Sequence, residues 1–430
     1  MEQQIPISPD ARADDPQADD ARDDGTHEVA PDLAYKRLAI VNVAFYGLPG
    51  AGDRQWVLID AGLPGAAGQI ANAASERFGP DARPAAIILT HGHFDHTSAL
   101  KELSERWDAP VYAHELERPY LDGRAAYPPP DPAVGGGLMP LLSPLYPRGP
   151  VNVGGRLQPL PADGSVPFMP GWRWIHTPGH APGHVSLWRD ADRALVVGDA
   201  FITTAQESVY AVATQQPELH GPPMYFTPDW QSAKSSVERL AALEPEIALT
   251  GHGRAMRGAE MRAALHTLAR DFDQVAVPAH GKYVLHPANV ERGTAYVPAQ
   301  KHDPTTAEKL ARALGWFSIG LGLTEVLATE SLSRYFGMEK SAGLVRFFGI
   351  QELTAGAGIL SQSRPAPWLW ARVGGDALDL AALASACNAS NPHRKRAGAA
   401  LAVVAAITML DIACAQMLSH EQAASGQSNA

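Results

Sequence analysis

The sequence predicts a mixed α/β domain followed by an all-α module of four apolar helices. Three observations carry this. Between Leu38 and about Val297, short apolar runs alternate with amphipathic stretches, the pattern of strands interleaved with helices. After about Lys301 the alternation stops and four long apolar segments follow one another. The chain's 430 residues also exceed what one compact core needs, so a second module beside a large domain is expected.

Residues 1–30 combine Asp, Ala, Pro and Gln with almost no large apolar side chains. Such a stretch cannot offset the entropy of ordering and is expected to be a disordered acidic tail. Within the next region, residues 31–300, strands are predicted over Leu38–Phe45, Gln55–Ile59, Ala85–Thr90, Pro110–Ala113, Trp172–His176, Val185–Trp188, Ala194–Val197 and Ile247–Thr250. Helices are predicted over Gly68–Phe78, His96–Trp107, Gln231–Leu243 and Ala259–Val275. From Tyr127 to Pro150 the composition turns to Pro and Gly, which reads as a long loop of the kind that often serves as a lid. The helical module takes residues 301–420, and 421–430 form a polar tail.

Composition excludes several functions. With 45% apolar and 19% charged residues the chain can bury a sizeable core. The net charge is −11, much of it in the N-terminal tail, and no basic stripe is present to neutralise phosphates, so no nucleic-acid partner is expected. Two cysteines, Cys387 and Cys414, exclude a disulfide framework.

The chemistry is concentrated where apolar runs end. AAIILT leads directly into His91-Gly92-His93-Phe94-Asp95-His96. On a loop leaving a strand, His91 and His93 project to one side, while Asp95 and His96 can turn to a second position a few ångströms away. Imidazole and carboxylate are ligands that zinc accepts, so the cluster points to two adjacent metal positions. Further candidates follow later runs: His180 and His184 in Thr177–His184, Asp199 after Gly198, and His252 in Thr250–Gly253. The opening strand Val57-Leu58-Ile59 ends in Asp60-Ala61-Gly62.

In this ordered set of motifs, residues 35–290 resemble the metallo-β-lactamase superfamily, whose members are αββα sandwiches with a dinuclear metal site at one sheet edge. The resemblance implies that His91, His93 and His180 hold one metal, that Asp95, His96 and His252 hold the other, and that Asp199 bridges them. The implied cofactor is zinc, two per chain, with iron or manganese as substitutes. An aspartate at the bridging position is similar to the glyoxalase II and lactonase branches rather than to true zinc β-lactamases, which usually carry cysteine there. A flavodiiron role would want a carboxylate where His93 stands. Two divalent ions about 3.5 to 4 Å apart can share a water, lower its pKa and present hydroxide to an electrophilic carbonyl or phosphorus. Asp95 or Asp199 can then shuttle a proton, and His184 can contact substrate or orient a ligand. Tyr210, Tyr225 and Trp230 are candidate pocket residues, whereas His114, His176 and His280 read as ordinary hydrogen-bonded histidines.

The four C-terminal segments, Leu310–Thr329, Ala342–Leu360, Pro367–Ala389 and Ala399–Leu418, are each long enough to span hydrocarbon at about 1.5 Å per residue. They contain Glu325, Arg346, Glu352, Arg372, Asp376, Asp379 and Asp411, charges that would have to pair inside a bundle, Arg372 with Glu325 among the options. The module is similar to a small four-helix membrane module found beside other enzymatic domains; a soluble four-helix bundle is the alternative. The expected whole is a membrane-attached dinuclear hydrolase acting on a small-molecule ester, thioester or lactone. A phosphodiesterase on the same site and a non-catalytic metal-binding sensor are the competitors. With no signal-peptide pattern at residues 1–26, the catalytic domain is expected on the cytoplasmic face of the inner membrane, or else in a soluble cytoplasmic protein.

Overall fold

In the short strand Val57–Ile59 the outer two side chains enter one apolar cluster and Leu58 enters another, because successive residues of a strand face opposite sides. The same division recurs in Ala194–Gly198, where Ala194 and Val196 face one cluster and Leu195 and Val197 a second. Two sheets therefore share a central core, and each packs helices on its outer face. The computed structural model describes residues 5–8, 11, 25–208, 210, 211, 215, 217–299, 305–337, 342–361, 365–389 and 391–427. It divides into two compact units, residues 1–300 and 301–430.

In the first unit, one sheet contains β1 (His27–Ala30), β2 (Leu33–Leu38), β3 (Val41–Tyr46), β4 (Val57–Ile59), β5 (Ala86–Ile88), β6 (Val111–Ala113) and β7 (Leu157–Pro159). These lie in chain order, antiparallel from β1 to β4 and parallel from β4 to β7. The second sheet contains β8 (Trp172–His176), β9 (Val185–Arg189), β10 (Ala194–Gly198), β11 (Ile247–Thr250) and β12 (Met256–Arg257), with β10 and β11 parallel. On the outside of the first sheet lie α1 (Ala67–Phe78), the short α2 (Phe94–Thr97) and α3 (Leu100–Arg106); outside the second lie α4 (Trp230–Ala241) and α5 (Gly258–Arg270).

Helix α1 buries Ile70, Ala74 and Phe78 at helical spacing, and Phe78 stacks on Trp56 with ring centroids 4.5 Å apart. Each such fully buried side chain contributes about 1.5 to 3 kcal/mol. Helix α4 starts where the Asp229 carboxylate accepts from the Ser232 N–H at 3.1 Å, an N-cap that satisfies one of the first turn's free donors.

Four expectations are corrected. The run read as one strand, Leu38–Phe45, contains a hairpin turn: Leu38 pairs with Val41, and Ala39 between them takes φ 56°. The apolar run is continuous through the turn, so periodicity alone could not find it. The predicted helix His96–Trp107 is broken between Thr97 and Leu100. Part of the expected solvated tail is docked, since Ile5–Pro6 pairs with Glu218–Leu219 and Ile7 and Ala11 are buried; most of the remainder lies outside the described residues. The stretch 127–150 carries helical turns at Leu138–Leu142 and Ser143–Leu145 rather than open loop throughout.

The second unit is all helical: α6 (Thr306–Leu327), α7 (Thr329–Phe336), α8 (Ala342–Ser361), α9 (Ala366–Ala386) and α10 (Arg394–Gln427). A capping box opens α6, where Thr305 Oγ1 accepts from Glu308 N–H and the Glu308 carboxylate accepts from Thr305 N–H. The buried Arg372 pairs with Glu352 at 3.2 Å and Asp411 at 2.5 Å rather than with Glu325, while Arg346 is exposed. Among the described residues, two helices, Thr306–Leu327 and Arg394–Ser419, are long and apolar enough to cross a membrane, where four such segments were expected.

Candidate metal centre

Five histidines and two aspartates from four loops at strand ends converge in the first unit, all of them buried. His91, His93, Asp95 and His96 follow β5 and enter α2; His180 lies between β8 and β9; Asp199 follows β10; His252 follows β11. Among the described residues of this unit, three groups have ligand atoms within 4.8 Å of one another: His91, His93 and His180; His91, His96 and Asp199; and Asp95, His96 and His252. All seven residues expected to bind metal are therefore brought together.

Hydrogen bonds outside the cluster set which nitrogen of each ring points inward. The Ile40 carbonyl lies 2.5 Å from His252 Nδ1 and can only accept, so Nδ1 carries the proton and Nε2 faces Asp199 at 3.0 Å. Asp60 does the same for His96, accepting from Nδ1 at 2.9 Å. Thr90 Oγ1 donates to Asp60 and so accepts from His91 Nδ1; Thr227 Oγ1 donates to the Pro223 carbonyl and so accepts from His180 Nδ1. Four Nε2 atoms are thus turned inward as lone-pair donors, the arrangement that orients imidazoles toward a metal. His93 presents Nδ1 instead, 2.8 Å from His180 Nε2.

The residues fit a divalent cation on two further observations. His91 Nε2, His96 Nε2 and Asp199 Oδ1 are buried with no hydrogen-bond partner, and they belong to one of the three groups. Buried polar atoms are seldom left in that state. Gly251 also keeps open the space beside them, since a Cβ there would lie 2.0 Å from Asp199 Oδ1.

Electrostatics agree. Burial holds His91 and His180 well below the ordinary histidine range and pushes His93 to about 3, so these rings are neutral and ready to donate. Burial opposes charge on His96 and His252, but Asp199, with Asp60 or Asp95, overrides it and raises both. Burial likewise opposes charge on Asp199, yet His252 and His96 hold it well below the carboxylate range, whereas burial raises Asp95. The carboxylates thus draw positive charge into the site, a need that divalent cations meet.

Of the two roles expected of His184, the structure shows the orienting one. The residue is wholly buried, its Nε2 accepts from the Asp199 N–H at 2.8 Å and its Nδ1 donates to Thr177 Oγ1 at 2.8 Å. Both nitrogens are used in placing Asp199, so His184 neither reaches substrate nor moves protons. Asp60 was not singled out as a site residue, although its motif was noted. It takes φ 61°, a conformation that Asp tolerates better than most residues, and accepts from Thr90 N–H, Thr90 Oγ1 and His96. Asn42 was also missed; its amide donates to the Thr250 and Gly253 carbonyls and braces the His252 loop.

Beside His93 lies a shallow cleft of about 10 Å³, room for about one water, walled by Tyr127, Pro129, Tyr225, Phe226 and Tyr283. Tyr225 is where the pocket expectation put it. Trp230 instead packs in the core near Phe272, and Tyr210 is exposed. His114 and His176 stack on each other 4.4 Å apart outside the cluster, as ordinary hydrogen-bonded histidines.

Comparison with known proteins agrees with this geometry. The family model described as "Metallo-beta-lactamase superfamily" matches residues 38–252. A probable metallo-hydrolase of Bacillus subtilis (strain 168), YflN, is 51% identical over 238 residues, covering 55% of this chain and 90% of that protein. A second from the same organism, the probable metallo-hydrolase YqgX, is 35% identical over 173 residues, covering 40% and 69%. Among solved structures, a beta-lactamase domain protein from Burkholderia ambifaria aligns at a TM-score of 0.44 with 22% identity, covering 60% of this chain and 78% of that one. The chain belongs to the metallo-beta-lactamase superfamily and is a metal-dependent hydrolase.

Proposed function

We propose that the site holds two zinc ions and hydrolyses an uncharged ester, thioester or lactone whose apolar part packs against the aromatic and proline wall beside His93. The observation that carries the substrate class is the make-up of that wall, which is aromatic and proline-rich with no Lys or Arg among its described residues. The nearest cations, Lys282 and Arg148, are turned onto the Pro129 and Tyr127 carbonyls at 3.5 and 3.0 Å, so an apolar acyl group matches the wall better than a phosphodiester does. His91, His93 and His180 suit one ion and Asp95, His96 and His252 the other, with Asp199 between them. When bound there, a pair of zinc ions would supply Lewis acidity and an activated water as nucleophile. Asp95 and Asp199 are the groups placed to hold or pass a proton. The aspartate at position 199 supports the glyoxalase II and lactonase branches within the family.

A hydrolysis panel tests this. Zinc-loaded full-length protein should turn over aryl esters, thioesters or lactones at least about tenfold faster, as kcat/KM, than bis(p-nitrophenyl) phosphate, a difference of about 1.4 kcal/mol. Preference for the phosphodiester would overturn the substrate class. Tight metal binding with no turnover of anything in the panel would favour the sensor reading.

The helical unit we read as a four-helix membrane anchor. Its charge pattern is inverted relative to a soluble bundle: Arg372, Glu352 and Asp411 are buried, while Phe317, Leu344, Phe347, Ile350, Trp370 and Met409 are exposed. Exposed apolar area of that kind is expected where lipid is the solvent. Expressed at native level, the full chain should sediment with membranes, resist extraction by high salt or alkaline carbonate, and be released by detergent. Recovery in the soluble fraction without detergent would refute the anchor.

A further inference from the structure

We propose that Glu117 is a positioning residue whose carboxylate ties the His91–His93 loop to the His180 loop and so sets the first metal position. Glu117 lies in the turn Glu115–Glu117 after β6 and is fully buried. Its Oε2 accepts from the Gly92 N–H at 2.8 Å, and its Oε1 accepts from the Gly183 N–H at 2.7 Å. The Tyr127 hydroxyl donates to the same Oε2, and the Tyr127 ring lies 4.2 Å from the His93 ring.

Gly92 stands between His91 and His93, and Gly183 immediately precedes His184 in the loop that carries His180. One carboxylate thus accepts from both ligand-bearing loops, beside the backbone bond from Val185 N–H to the Thr90 carbonyl at 2.9 Å. Their relative placement is what puts His93 Nδ1 and His180 Nε2 2.8 Å apart. The two glycines are explained by the same clamp. A Cβ on Gly92 would lie 2.8 Å from the Tyr127 hydroxyl and 3.2 Å from Glu117 Oε2, and one on Gly183 would lie 2.8 Å from Glu117 Cγ. The second group of ligands, Asp95, His96 and His252, is braced instead by Asp60 and the Ile40 carbonyl. Loss of Glu117 should therefore act on one metal position and spare the other.

A glutamine is nearly isosteric but offers one carbonyl and one NH₂ where two N–H donors wait, so E117Q must turn an NH₂ toward one of them: Gly92 N–H keeps the Tyr127 hydroxyl at 3.0 Å, whereas Gly183 N–H would lose its carboxylate. In the full-length protein loaded with cobalt, E117Q should bind one ion about 10- to 100-fold more weakly, as losses of outer hydrogen-bond partners do, with the second ion's affinity unchanged. The visible cobalt spectrum should change at the first equivalent and not at the other. Equal weakening of both ions, or no change in either with the fold intact, would overturn the clamp. The inference rests on the metal-binding reading above, so a second readout is independent of metal. In metal-free E117Q, amide hydrogen exchange should accelerate in peptides covering residues 91–96 and 180–184 and not in one covering 250–253; unchanged protection at the first two would overturn it. If wild-type protein takes up no cobalt, the reading of the site fails while exchange still decides the clamp. Should E117Q not accumulate folded, Gly183→Ala, whose Cβ presses on Glu117, is expected to give the same two signatures.

Discussion

Asp199→Ala is expected to lower kcat/KM for the best ester or thioester substrate by at least about 10³-fold, a loss of about 4 kcal/mol of transition-state stabilisation. Asp199 is the one side chain whose oxygens face ligands of both proposed positions: Oδ1 lies 3.5 Å from His96 Nε2, and Oδ2 lies 3.0 Å from His252 and 3.4 Å from His180. Its removal takes away a shared anion and the charge that holds His96 and His252 toward the centre. Both ions should bind more weakly, in contrast with His252→Ala, which should weaken mainly one. Steady-state kinetics beside metal titration of each variant checks this. A kcat/KM within tenfold of wild type in Asp199→Ala would show that the aspartate is not central to turnover.

Asp60→Ala should produce the second-largest effect, although Asp60 lies outside the group of seven. Three donors converge on its carboxylate: Thr90 N–H, Thr90 Oγ1–H and His96 Nδ1–H, at 2.8, 2.8 and 2.9 Å. Without it, His96 loses the partner that fixes its tautomer, and the Thr90 hydroxyl is free to rotate away from His91. We expect one metal to bind about 10- to 100-fold more weakly, with a parallel fall in activity. Each donor left buried and unsatisfied costs about 1 to 3 kcal/mol, so the thermal midpoint should fall as well. Calorimetry and metal titration on the same protein check the two parts. Loss of stability without loss of metal affinity would reduce Asp60 to a structural brace.

Legibility differed sharply between the ligands and their supports. His91, His93, Asp95 and His96 form a contiguous motif, and His180, Asp199 and His252 each follow an apolar run, so residue type and strand-end position together revealed them. Glu117, Asn42 and Thr227 are single polar residues of types that usually face solvent, and nothing in the sequence around Glu117 marks it as wholly buried between two loops. Asp60 sat at the end of a recognised strand, but its role depends on a pairing with Thr90 and His96 thirty and thirty-six residues away. For His184, type and spacing left substrate contact and ligand orientation open, and its two hydrogen bonds commit it to orienting Asp199. In the fold, long periodic segments such as β8, β11 and α1 were legible nearly to the residue. The β2–β3 hairpin was not, because Ala39 gives no sign of a turn. In the helical unit the segments were legible but the partner of Arg372 was not, since several acids lie at compatible helical spacing.

The central claim is that two ions sit in one cluster of seven side chains, and metal stoichiometry tests it most directly. Full-length protein purified in detergent, supplied with excess zinc, passed through a desalting column and analysed for metal against amino-acid content should carry close to two zinc ions per chain. Well-folded protein that retains one ion or none, with the same value in Asp199→Ala, would contradict the account.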